Sequence, residues 1–245
     1  MTEASIPTTT AAATPKGLLA RAVGVVMAPR ATYAAIAARP RVLGALALVL
    51  CISAAGTIAF LSTEVGRQAA MDQQIRQTEA FGRPMTDAQS AQMERLLPYF
   101  GYIGAATQVV ALVVITLLVT GLMFAIFNAI LGGDATFKQV YAVVIHSGFI
   151  FSVQQFFVLP LDYVRESLTS PTALTVFVPF LEETSFVARF LGALDLFVMW
   201  WIVNLAIGLG VLYKRRTGPI AAGLFVTYLA IALIIAAVRA ALSGA

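Results

Sequence analysis

Five stretches of this chain, 42–62, 99–131, 139–161, 190–213 and 218–238, are each long and apolar enough to cross a lipid bilayer. A hydrocarbon core about 30 Å thick needs roughly 20 apolar residues at about 1.5 Å of helical rise each. Four stretches match that length, and the second, at 33 residues, exceeds it and must tilt, kink or project. Asp195 is the only formally charged residue inside any of them. The sequence therefore predicts an all-α polytopic membrane protein, a bundle of five transmembrane helices.

The gaps between the stretches are 36, 7, 28 and 4 residues long, too short for an ordinary soluble domain. The chain reads as a disordered cytosolic tail (1–16), a pair of short amphipathic helices (17–41) and one membrane domain (42–238). In 17–41 Leu18, Leu19, Ala22, Val23 and Val26 recur at helical spacing. Pro29 then restarts the run, with Tyr33 and Ile36 continuing an apolar face. Such helices suit the membrane interface; a cytosolic pair packed on itself is the alternative. No cleavable signal peptide is visible, so the first span is expected to remain as an anchor.

The net charge of +4 comes from cations that flank spans rather than from a basic run. The partner they imply is the bilayer, not nucleic acid. Lys16, Arg21, Arg30, Arg39 and Arg41 precede the first span, Lys138 lies in the second gap, and Lys214, Arg215 and Arg216 fill the fourth. Seven cations, Arg83 among them, and most acidic residues lie in the opposite loops and the C-terminal end. The bias predicts a cytoplasmic N-terminus and, with five crossings, an outer C-terminus.

Thr86 and Gln89 fit a capping box that opens a helix carrying Met93, Leu96 and Leu97, with Pro98 marking its end. A helical hairpin outside the membrane is expected there. The segment 174–178, bracketed by Pro171 and Pro179, is too short to span and is expected at the outer interface. Gly101, Gly104 and Gly121 are expected bends or close approaches in the second span, and Ala206 to Gly210 makes a small-xxx-small step.

Polar side chains in hydrocarbon are costly, so Asn128, His146, Gln154, Gln155, Asp195 and Asn204 are the candidate intramembrane sites. Counting helical rise brings His146 level with Asn204, and Gln154 and Gln155 level with Asp195. Asp195 equally reads as an N-cap for a helix over 196–213. The single Cys51 lies mid-span and forms no intrachain disulfide. One histidine excludes HExxH metal chemistry, and neither a Gly-x-Ser-x-Gly elbow nor a phosphate loop occurs. No enzyme activity, metal or cofactor is expected.

Several segments in order resemble the Yip family of Ypt/Rab-GTPase-interacting membrane proteins, in its bacterial branch. They are 28–33 continuing through Ile36 to Pro40, the turn 132–138, the loop 170–174, and 194–200 continuing to 206–210. The resemblance implies a five-helix membrane domain with a cytosolic N-terminus. In eukaryotes the family is tied to Rab GTPases and vesicle traffic; a bacterial origin removes Rab partners. The expected role is non-enzymatic, membrane organisation or recruitment of a protein partner, including a second copy. A small transporter, channel or lipid-moving protein is the alternative.

Overall fold

The computed structural model describes residues 17–80, 86–182 and 185–242, so the 1–16 tail with Lys16, and Arg83, lie outside the described residues. Helices α1 (Leu18–Met27) and α2 (Pro29–Ala38) form a tight hairpin. Pro29 opens α2, where its missing N–H leaves nothing unsatisfied. Gly24 lets the pair close, because a Cβ there would collide with Thr32. One face of α2, with Thr32, Tyr33 and Ile36, is fully buried against α10 and α7. The hairpin is thus packed into the bundle, while Leu19, Val23 and Met27 of α1 remain exposed one turn apart.

Helix α3 (Leu43–Leu61) coincides with the first predicted stretch. Helix α4 (Glu64–Ala80) follows, then α5 (Asp87–Leu96), which opens on the expected capping box from Thr86 and Gln89. Pro98 follows the end of that helix at Leu96, as expected. It sits in a 3-10 turn, Leu97–Tyr99, at a position where proline needs no N–H partner. The chain passes straight into α6 (Phe100–Phe124) and then a π-helical turn, Ala125–Ile130. The over-long second stretch is thus the apolar part of a 44-residue helical column, Asp87–Ile130. Gly101 and Gly104 lie against α3, where a Cβ on Gly104 would stand 2.9 Å from Leu61; Gly121 faces open space.

The third stretch bends at Gly148 into α7 (Phe137–Ser147) and α8 (Phe149–Arg165), and continues past Pro160. The fourth is not one continuous helix from 190 and follows the capping reading of Asp195 instead. It breaks at Ala193–Asp195 into α9 (Phe186–Gly192) and α10 (Leu196–Leu212). The cause is backbone pairing: Leu174 N–H donates to Leu194 O at 2.8 Å and Leu196 N–H to Thr172 O at 3.1 Å, which holds 194–196 extended. Helix α11 (Thr217–Leu242) closes the chain.

Among the described residues, four helical segments are long and apolar enough to cross a membrane: Leu43–Leu61, Asp87–Ile130, Phe137–Arg165 and Thr217–Ala241. Helix α10, at 17 residues, falls just short by that measure and is about 26 Å long. Its start meets Gln154 of α8 and Tyr228 of α11, helices that run on beyond it to Arg165 and Leu242, and its far end meets Asn128 and Thr217. We call the end carrying Lys138 and Lys214–Arg216 the basic end, and the other the loop end. The core joins α1, α2, α3, α6, α7, α8 and α10.

Candidate functional site

Three polar clusters and one cavity take up the polar residues of the apolar helices. At the loop end, Asp195 caps α10, its Oδ1 accepting from Phe197 N–H at 2.8 Å and Val198 N–H at 3.3 Å. Its Oδ2 accepts from Ser170 Oγ at 2.7 Å and Thr172 Oγ1 at 2.6 Å. Gln154 Nε2 donates to Oδ1 at 3.4 Å, so the predicted Gln154–Asp195 layer is formed. Tyr228 of α11 completes the knot, its hydroxyl accepting from Asp195 N–H at 2.8 Å and donating to Ala193 O at 2.9 Å. A carboxylate at a helix N-terminus also meets the positive end of the helix dipole. Every hydrogen bond to this carboxylate comes from a neutral donor of the protein, which makes Asp195 a clamp.

Gln155 belongs elsewhere. Its Nε2 donates to Ser53 O of α3 at 3.1 Å, and Gly56 makes room for that amide, since a Cβ there would clash with it. This crossing joins α8 to α3, away from Asp195.

Near the basic end, Asn204 sits eight residues before Leu212, about 12 Å along α10. Its Nδ2 donates to Val25 O at 2.8 Å, and its Oδ1 accepts from the Tyr33 hydroxyl. Burial pushes the Tyr33 phenol well above its usual range, which keeps it protonated and donating. The Tyr33 ring lies on Gly208, where a Cβ would come within 3.0 Å of it and within 2.6 Å of Val143. The close approach therefore centres on Gly208, inside the Ala206–Gly210 step. Gln139 Nε2 adds a bond to Ala37 O at 3.1 Å, and Arg30 reaches Thr217 Oγ1 at 3.4 Å.

His146 and Asn204 do not pair: among the described residues no hydrogen bond joins them. Helix α2 supplies Tyr33 to Asn204 instead. His146 is fully buried, its Nδ1 bonded to Ala142 O of its own helix at 2.7 Å. Its ring meets Phe149 edge-on at 5.5 Å, and its Nε2 has no partner. Asn128 lies in the π turn, donating to Ala135 O at 2.6 Å and accepting from Tyr213 OH at 2.6 Å. Arg215 donates to Leu131 O at 2.7 Å, while Arg30, Arg39, Arg41, Lys214 and Arg216 are exposed and Arg21 is half-buried.

Between α3, α6, α8 and the α7–α8 bend lies a cavity of about 520 Å³. Its walls include Leu50, Leu112, Val119 and Trp201, and its polar lining is Ser53, Thr57, Gln108, Thr116, Ser152, Gln154 and Gln155. Thr57 donates to Gln108 Oε1, bridging α3 and α6. Sequence reasoning missed Gln108 and Ser152. Both sit in stretches whose apolar length dominated the reading, and only the packing shows which way they face.

An all-helical chain with several long apolar helices joined by buried hydrogen bonds is a multi-pass integral membrane protein. The family model for the Yip1 domain matches residues 23–239, so the chain belongs to the Yip family. Neither a curated protein nor a solved structure matches it. The segments that carry the resemblance meet in space: 170–174 pairs with 194–196, and Tyr33 with Gly208 and Asn204.

Proposed function

We propose that the protein is a non-enzymatic, five-crossing membrane protein that organises membrane or recruits a protein partner at its basic end. The observation that carries this reading is the use made of the polar residues. Asp195, Asn204 and Asn128 are bonded to backbone and neighbouring helices, as struts of a scaffold would be. With α10 as the fifth crossing, the basic end faces the cytoplasm and the C-terminus the outside of a bacterial inner membrane. The docked hairpin presents Arg30, Arg39 and Arg41 as exposed cations, Arg30 reaching Thr217 next to the exposed Lys214 and Arg216, and Leu19, Val23 and Met27 of α1 meet lipid in the interface.

The transport alternative draws less support, because the charge it would use at Asp195 is already fully bonded. The test is cross-linking in native membranes with the full chain and with Arg39, Arg41, Lys214 and Arg216 all changed to Gln. Cross-links to a partner should map to 17–41 and 214–216 and disappear in the variant at unchanged melting temperature. Solute flux in reconstituted vesicles that Asp195→Asn abolishes without loss of fold would replace this reading by transport.

A further inference from the structure

We infer that the cavity between α3, α6 and α8 is a binding site for a neutral lipid carrying a hydroxyl or ester carbonyl. This site stands apart from the basic-end surface and does not depend on the scaffold reading. Its volume of about 520 Å³ lies in the range of about 300–1,000 Å³ usual for small-molecule sites. Among the described residues no Asp, Glu, Lys, Arg or His lines it, so a phosphate head would find no counter-charge from them there. The walls are otherwise aliphatic and aromatic, suited to acyl chain.

The polar lining is not closed on itself. Ser152 is 8 % exposed, and its Oγ has no hydrogen-bond partner among the described residues. An unpaired hydroxyl in an apolar interior costs about 1–3 kcal/mol, a cost that an occupant's oxygen would remove. Gln108 uses its Oε1 on Thr57 and Gln155 its Nε2 on Ser53 O, which leaves an amide donor and an amide acceptor facing the same space. One hydroxyl, one donor and one acceptor complement a glycerol hydroxyl and an ester carbonyl.

Access is lateral. Helix α6 packs on α3 and α7 but scarcely on α8, and Ile115 at the rim of the cavity is 54 % exposed. A lipid would enter between α6 and α8 from the acyl-chain region, its tails remaining in the bilayer.

The experiment photolabels the full chain, reconstituted in phosphatidylcholine vesicles, with a photoactivatable diacylglycerol and in parallel with a photoactivatable phosphatidylglycerol. The diacylglycerol label should fall mainly in 46–57, 108–119 and 151–159, at least fivefold above the phosphatidylglycerol label at those positions. Ser152→Leu, which fills the polar corner, should lower it at least fivefold without lowering the melting temperature. Equal labelling by the phospholipid would overturn the assignment, as would label spread over the exposed face of α11. If Ser152→Leu does not fold, the position of the label in the unaltered chain decides alone.

Discussion

Helices α10 and α11 are neighbours in sequence and opposites in how they are held. Helix α11 has 26 residues, and only 11 % of its most apolar window is buried. Val226, Ile234 and Val238 are exposed, and its hydrogen bonds to the break before α10 run through Tyr228 alone among the described residues. Helix α10 has 17 residues, with Ile202, Leu205, Ala206 and Leu209 buried, and is bonded near both ends by named side chains. Hydropathy marks a helix that lipid can accept, whereas buried hydrogen bonds fix where in the bundle a helix sits. The shorter helix depends on the second kind of information.

That contrast predicts a graded series of effects. Asp195→Ala should be the most damaging change, since it removes the cap and strands the Ser170 and Thr172 hydroxyls. A cap is worth about 1 kcal/mol and each unsatisfied buried group about 1–3 kcal/mol. The sum should show as a large fall in melting temperature in detergent, with Asp195→Asn, which keeps an acceptor, recovering much of it.

Next comes the hairpin. Tyr33→Phe leaves the Asn204 oxygen unpaired in the core, a loss of about 1–3 kcal/mol. Hydrogen exchange should rise along α2 while the loop end stays protected. Because Tyr33 stays protonated through the neutral range, this docking should not change between pH 6 and 9. Gly208→Val should undock the same hairpin by steric conflict with Val143 and Tyr33.

Thr136→Ala removes the capping box of α7, in which Gln139 Nε2 also holds Ala37. About 1 kcal/mol should be lost, measured by thermal melting. The smallest effect belongs to α11: Ile234→Val on its exposed face should stay within about 0.5 kcal/mol. A loss there as large as that of Tyr33→Phe would erase the difference between the two helices.

Much of this architecture was legible in the sequence. Long apolar stretches locate α3, α6 and α11 because lipid imposes length and polarity on whatever crosses it. Thr86 with Gln89, and Asp195 before its apolar run, are legible because a cap acts through neighbours a few residues away. What holds 194–196 extended was not, since that pairing comes from Thr172 and Leu174, more than twenty residues upstream of α10. Pro98 marked the end of α5 but not the continuation into α6, because a proline that ends one helix also suits the first turn of the next. Of the candidate polar residues, Gln154 met Asp195 as their depths suggested, whereas Asn204 went to Tyr33. Depth within a span carries no record of a hairpin that inserts from outside it.

The claim on which most rests is that α10, short as it is, passes from one face of the membrane to the other. With Cys51 changed to Ala, single cysteines at Thr169 and Arg216, both exposed, report on its two ends. A membrane-impermeant maleimide applied to sealed, right-side-out vesicles should label position 169 at once and position 216 only after lysis. Equal labelling of both positions before lysis would place the two ends of α10 on one face and contradict the account.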